Sequence, residues 1–423
     1  MTHPPFSRRA PLGGRPWATL ATLAGGLLAA SARAQAPTPP AGDVIPAYAQ
    51  AIINGTDSGV VQAGCATCGG GLPPVAAITT PIGGGGGPCA CSDDSCGSCM
   101  CKPGKPKNCN CLGECSDCFL GRFGSGFINC ICCPDPCYEG VWSYPANAAF
   151  FQDTVRPQTY TRIRWDSGVN VRQPERAEYF WAAPGAVGGR GPQNVERRVD
   201  YDVLSLYQEI AAGNFAFFIN TPYVGVEPDN NPAHSNFGDL DLGTKSLLID
   251  CELMQLTFQF RTYTPTGFAR HGLGTGHVSL EPSLLASIKL MPDTYLQTQV
   301  AYWIPIGGDQ DFEGATWRYG VSLNRQWFHR GPFALISTAE FNGWTFTDGA
   351  IVNRGAIDAG IAASPMNRAQ LIEKGSAESY FTLGGGLRLV ICDKYDIGFG
   401  AQFAVTDDHF AEQLYRTEFR IRY

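Results

Sequence analysis

The residues best equipped for chemistry are cysteines. Fifteen of the chain's 17 lie between Cys65 and Cys137: Cys65, Cys68, Cys89, Cys91, Cys96, Cys99, Cys101, Cys109, Cys111, Cys115, Cys118, Cys130, Cys132, Cys133 and Cys137. The C-x-x-C pairs at Cys65/Cys68, Cys96/Cys99 and Cys115/Cys118 have the spacing at which two thiolates can share one zinc or an iron–sulfur iron. C-x-x-C-H is absent, so covalent haem is not indicated. In an exported chain, disulfides that staple a loop-rich segment with little core are the stronger reading, and all fifteen are disulfide candidates. No metal or other cofactor is expected. Fifteen is odd, so one of these thiols stays free, pairs with an envelope partner, or joins Cys251 or Cys392.

Export is indicated by residues 1–34. Arg8 and Arg9 precede an apolar run from Trp17 to Ala30, and Ala32-Arg33-Ala34 supplies small residues for cleavage. That run is too short to span a bilayer, and no other stretch of 18 apolar residues exists. Residues 35–64 are rich in Ala, Pro and Gly and read as a linker. The Cys-rich segment fills 65–137, and 138–158 reads as a connector.

Other chemistry is sparse. The six histidines, His3, His234, His271, His277, His329 and His409, fall in loops or at strand ends, with no Ser and His paired on a lipid-facing strand as a barrel phospholipase would need. No catalytic set emerges, so the chain is not expected to be an enzyme. Asp229, Asp239, Asp241, Asp407 and Asp408 read as solvated loop carboxylates, without a calcium-loop pattern. The net charge of −7 and the absence of a basic cluster with aromatics argue against nucleic acid.

The elements that would position any site lie in 159–423. There, segments of about ten residues alternate apolar and polar, the length a tilted strand needs to cross a bilayer. Twelve are read, near 159–167, 200–211, 215–226, 237–250, 252–262, 277–290, 294–304, 315–328, 332–345, 377–391, 394–405 and 412–423. Short links (Gly213-Asn214, around Asp250-Cys251, Met291–Asp293, His329–Gly331, Cys392-Asp393) alternate with long ones. A soluble β-sandwich would alternate too, but has no reason to sort turn lengths by side. The fold class is therefore all-β: a transmembrane antiparallel up-and-down β-barrel of about 12 strands, preceded by a Cys-rich irregular region. Short turns belong on the periplasmic side, which places the Cys-rich segment in the periplasm and the barrel in the bacterial outer membrane. Residues 177–182 could add to the sheet, and loop 346–376 could fold into the pore or cap it.

The polar faces nominate lumen-lining residues: Arg162, Arg164, Gln259, Arg261, Glu281, Lys289, Glu340, Arg388, Arg416, Glu418 and Arg420. They would form either a salt-bridged filling or a solute path. The last strand ends on Tyr423, with Phe419 and Ile421 at alternate positions before it. That ending resembles the C-terminal signal by which the barrel-assembly machinery recognises outer-membrane proteins.

Three stretches carry a family resemblance: Phe237–Leu248 (FGDLDLGTKSLL), Thr264–Gly267 with Gly272–Leu290, and Gly384–Asp408 with the closing strand. They resemble the outer-membrane barrel family associated with meta-pathway phenol degradation. The resemblance spans roughly 200–423 and implies a transporter or channel for small, often aromatic or hydrophobic, solutes. The Cys-rich region has no counterpart in that family. It supports the alternative of a structural envelope protein, a barrel anchor cross-linked to its neighbours through disulfides.

Overall fold

A computed structural model describes residues 119–132, 143–375 and 378–423. Its centre is a closed antiparallel barrel. In chain order the strands are β1 (Tyr160–Arg172), β2 (Arg198–Ala212), β3 (Phe215–Pro228), β4 (His234–Phe237), β5 (Leu240–Asp250), β6 (Met254–Thr264), β7 (Val278–Met291), β8 (Thr294–Ile306), β9 (Thr316–Arg330), β10 (Phe333–Phe346), β11 (Ala350–Val352), β12 (Ile372–Lys374), β13 (Glu378–Ile391), β14 (Tyr395–Ala404) and β15 (Gln413–Arg422). Each stave pairs with its neighbour in sequence, and β1 pairs with β15 from Tyr160↔Arg422 to Val169↔Gln413, so no edge is left open. The twelve expected segments correspond to the twelve staves. Short and long links alternate around the barrel as read.

Three parts lie outside that plan. β4 runs beside the far half of β3, in line with β5. β11 and β12 form a separate hairpin within the longest loop. Residues 177–182 do not join the sheet: Arg176–Glu178 form a 3-10 turn, and Trp181 and Ala182 are buried in the barrel mouth.

Side-chain direction follows the period-two pattern. Leu383, Leu387, Ile397, Phe399 and Phe403 point out and are about half exposed, as are Trp317, Val321 and Leu323 on β9. Arg388, Gln259, Glu281, Glu340, Glu418 and Arg420 point in and are buried. An apolar exterior around a charged interior inverts the pattern of a water-soluble sheet, and suits a wall that meets lipid.

Residues 143–158 belong to the stretch read as a connector. They enter the lumen from the short-turn end as a hairpin and leave at the same end. Tyr144 bonds Asp393 in the β13–β14 turn on the way in, and Arg156 pairs with Asp250 at 2.6 Å on the way out. Between them Ala148, Ala149, Phe150 and Val155 are fully buried. Helix α1 (Phe119–Cys132) lies at this end, with Gly126 against Leu253 of the β5–β6 turn and Cys130 disulfide-bonded to Cys251 of the same turn.

Candidate functional site

Among the described residues a hairpin occupies the lumen at the short-turn end and the outer loops cover the other mouth, with a chamber between. The floor is the hairpin, held mainly through its backbone. Glu340 on β10 accepts the N–H of Phe150 at 2.6 Å and of Phe151 at 3.0 Å. Gln297 and Gln299 on β8 accept from Ala149 and Asp153. Arg388, Arg416 and Arg420 donate to the carbonyls of Ala148, Phe150 and Asn147. Wall side chains thus satisfy the polar backbone of a segment that has no sheet partner of its own.

One side chain anchors the floor by shape. Phe150 lies against Gly386, Gly398 and Gly400, where an added Cβ would come within 2.5, 2.7 and 2.8 Å of its ring atoms. Gly386 and Gly400 are register partners on β13 and β14. These strands lack side chains where the ring sits, and the Arg388 guanidinium covers the ring at 4.5 Å.

The ceiling comes from the outer loops. Glu175, Arg176 and Glu178 are buried in the first loop, and Ala177 and Glu178 adopt left-handed backbone (φ 52° and 54°), which turns Glu178 inward. Glu178 accepts the N–H groups of Ala183 and Asp309 at 2.7 and 2.8 Å and faces His277 Nε2 at 3.7 Å, so one carboxylate joins three outer loops. Burial pushes this carboxyl above its ordinary range, against the pull of those donors and of His277. Ser279 Oγ lies 3.1 Å from His277 Nδ1. This Ser–His–Glu contact joins an outer loop to β7 and was not legible in the sequence.

The long loop caps the first one. Helices α2 (Arg354–Asp358) and α3 (Arg368–Leu371) and the β11–β12 hairpin bury Val352, Ala350 and Leu371 against Ala183, Val187 and Phe312. Charged clasps add to this packing: Arg354 to Glu175 at 2.9 Å, and Arg368 to Asp309 and Asp311 at 2.5 and 2.7 Å. The loop lies over the mouth and does not line the pore.

Between floor and ceiling is a cavity of ≈ 340 Å³. Aromatic residues form its outer half, with Tyr179, Phe180, Trp303, Trp344 and Phe410 in mutual ring contact and Tyr201 beside Phe180. Its inner half is ionic. Arg261 holds Asp153 of the floor at 2.8 Å, Arg318 holds Glu281 at 2.5 Å, and Arg416 grips both oxygens of Asp166 at 2.5 and 3.0 Å.

The sequence-selected lumen residues therefore meet, though not as one row. Arg162, Arg164, Arg261 and Arg416 line the cavity. Gln259 binds Asp153 of the floor, and Glu340 clamps the floor. Arg388, Glu418 and Arg420 form a buried cluster with Asp396 beneath the cavity, and Lys289 stays partly exposed near the short-turn end. These residues form ion pairs around both the floor and the cavity.

The carboxylate readings need correction. Asp241 is buried, accepts from Asn220 at 2.7 Å and lies 3.5 Å from Arg261. Asp239 accepts from Gly267 and Thr275 and organises the β6–β7 loop, and burial holds its carboxyl above the ordinary range. The near-continuous line of β4 and β5 turns both residues inward. Asp229 remains part-exposed and pairs with Arg198 at 2.8 Å.

At the chain end, Phe419 and Tyr423 are exposed on the outer wall, and Tyr423 closes onto β1 through its N–H to Thr159 O at 3.2 Å. Of the cysteine candidates only Cys130 is described as paired. Cys132 ends α1, and the remaining candidates, with the signal and linker readings, lie outside the described residues. Cys392 is exposed and free.

No protein-family profile matches the chain, and no curated protein matches it. Among solved structures it is similar to an outer membrane channel from Pseudomonas putida F1 (10% identity, TM-score 0.42, 65% of this chain and 100% of that one). It is also similar to the beta domain of the Bordetella autotransporter BrkA (10%, 0.38, 63% and 100%) and to the NanC porin (7%, 0.35, 62% and 100%). The barrel assignment rests on this chain's own strand pairing.

Proposed function

We propose that the chain is a bacterial outer-membrane β-barrel that passes small solutes passively and rests in a closed state, with its Cys-rich N-terminal segment in the periplasm. The observation that carries this reading is how the floor is held. Beside the Phe150 ring and the packing of Ala148 on Ala334, Ile336 and Val390, the floor is held by many hydrogen bonds and ion pairs to wall side chains, which water can replace when the hairpin leaves. A barrel needed only as a wall has no use for an interior whose donors and acceptors serve a removable segment. The three stretches resembling the meta-pathway phenol barrels support a transport role, and the aromatic half of the chamber suits solutes with an apolar body. The terminal Phe419, Ile421 and Tyr423 fit recognition by assembly machinery.

A second reading has one specific observation in its favour. The Cys130–Cys251 bond couples the Cys-rich side covalently to the barrel, as an envelope anchor would require.

Planar-bilayer conductance of the full-length protein and of Glu340→Gln separates the two. The channel reading expects brief openings in the first and longer ones in the second, because Gln offers one acceptor where Glu340 offers two. Silence from both, with the barrels migrating as folded on unheated gels, would leave the anchor reading.

A further inference from the structure

The chamber's arginines are not equally satisfied. Arg261, Arg318 and Arg416 each donate hydrogen bonds to a carboxylate. Arg162 and Arg164, two residues apart on the lumen face of β1, donate none to any described residue. Arg162 is 3% exposed, and its closest carboxylate oxygen, on Glu418, is 3.7 Å away. Glu418 bonds Arg388 and Arg420 through Oε2, and its Oε1, the oxygen nearest Arg162, accepts no hydrogen bond. Arg164 forms an ion pair with Asp166 at 3.0 Å, sharing that carboxylate with Arg416, which bonds both of its oxygens. The Nε atoms of both are buried without a hydrogen bond. Of the carboxylates facing the cavity, Asp153, Asp166, Asp239 and Asp241 each accept at least one hydrogen bond, although Asp241 Oδ1 accepts none.

A buried guanidinium without an acceptor is costly, and an anion that accepts from it forms a charge-assisted bond. Residues two apart on a strand are about 7 Å apart on one face, so both arginine side chains can converge on a single carboxylate. Further along β1, the surroundings turn apolar. Gly168 pairs with Tyr201, and a Cβ at Gly168 would lie 2.2 Å from Tyr201 Cε1, so only glycine lets that ring cross β1 into the lumen. Phe180 and Phe410 continue the aromatic surface above it.

We propose that the chamber is a binding site for a small organic monoanion with a flat apolar body, its carboxylate between Arg162 and Arg164 and its body against Tyr201, Phe180 and Phe410. The inference rests on the reading of the lumen as a solute path and gives that path a substrate class. Selectivity follows from the pairing. A neutral analogue keeps the aromatic contacts and leaves both arginines without an acceptor. A cationic analogue adds repulsion.

The test is calorimetric titration of the full-length protein in detergent with benzoate, benzamide and benzylammonium, repeated on Arg164→Gln and Arg164→Lys. Heat-modifiable gel migration confirms that each variant is folded. The expected result is saturable benzoate binding at least tenfold tighter than benzamide, none for benzylammonium, a loss of tenfold or more in Arg164→Gln, and near-retention in Arg164→Lys. Equal binding of benzoate and benzamide, or benzoate binding indifferent to Arg164→Gln, would overturn the proposal. So would the absence of binding by any probe, which would leave water as the arginines' partner. Flux of benzoate into proteoliposomes separates this inference from the channel reading. Saturable binding without flux removes the channel and keeps the site; flux without saturable binding removes the site and keeps the channel.

Discussion

The Arg388 guanidinium lies 4.5 Å over the Phe150 ring, which rests against glycines of β13 and β14. The contact makes Phe150 the keyed part of the floor. An added side chain at Gly398 would start 2.7 Å from the ring, and Gly386 and Gly400 lie as close to it. Gly398→Leu is therefore expected to expel Phe150 and to lengthen single-channel openings. Phe150→Ala leaves the socket empty and should weaken floor docking by about 3 kcal/mol, the usual cost of removing a buried aromatic ring. Conductance traces indistinguishable from the unmodified protein in both variants would show that the floor is not what closes the lumen.

The disulfide acts on the same floor from outside. Ile131 to Thr159 is a stretch anchored at both ends, by the Cys130–Cys251 bond on one side and by β1 on the other. A hairpin that leaves the lumen while both ends are held stays near the mouth at high effective concentration and returns quickly. Reduction frees one end. Mean open time is thus expected to rise when a reductant is added on the short-turn side, and to be long and reductant-insensitive in Cys251→Ser. Equal open times before and after reduction, with the bond shown broken by peptide mapping, would separate the staple from gating.

The barrel was legible because strands that separate lipid from a charged interior repeat with period two, and because turn lengths sort by side. The floor was not. Residues 143–158 contain Pro145, Ala148, Ala149 and paired phenylalanines with no period, and the N–H groups of Ala149, Phe150, Phe151 and Asp153 bond side chains more than a hundred residues away. A signal existed in the wall. Gly384 and Gly386 on β13 and Gly398 and Gly400 on β14 fall at inward positions, leaving a hole that some other segment must fill. The chamber was half legible: the arginines appeared as an inward row, but which of them lack acceptors depends on Asp153 arriving from the floor to take Arg261. Asp239 and Asp241 were misread because their place at the outer end of the 237–250 segment was taken as solvent-facing, whereas the join of β4 to β5 turns them inward.

Glu178 gives the outer cap a pH dependence with a defined sign. Its carboxyl is raised above the ordinary value, chiefly by burial, and His277 and Asp309 are the ionisable groups facing it. When the cap opens the carboxyl returns to its ordinary value, so the closed cap holds a proton over a pH range in which the open one has lost it. Closure is then favoured at low pH, weakens as pH rises from the ordinary carboxylate value through the raised one, and is constant above that. Amide exchange at Ala183 and Asp309, corrected for intrinsic rates, should be slowest at the acidic end of this window. Glu178→Gln, neutral throughout, should remove the dependence, and with one acceptor for two N–H groups it should leave one of the two amides less protected at every pH. Exchange in the unmodified protein that is flat across the window would sink the assignment.

Cys392 tests which end of the barrel faces which compartment. It is exposed in the β13–β14 turn, beside Asp393, which receives the Tyr144 hydroxyl where the hairpin enters. It also settles the cysteine arithmetic on the barrel side. With Cys130 paired to Cys251, fourteen cysteines remain in the Cys-rich segment, an even number that can pair among themselves, and Cys392 is left over. If the short turns face the periplasm, a membrane-impermeant maleimide should leave Cys392 unlabelled in intact cells and label it after the outer membrane is permeabilised. A cysteine placed in the long outer loop, as in Met366→Cys at a position 94% exposed, should label in both conditions. Labelling of Cys392 in intact cells with Met366→Cys silent would invert the topology, and with it the side from which the floor hairpin enters and from which a reductant would act.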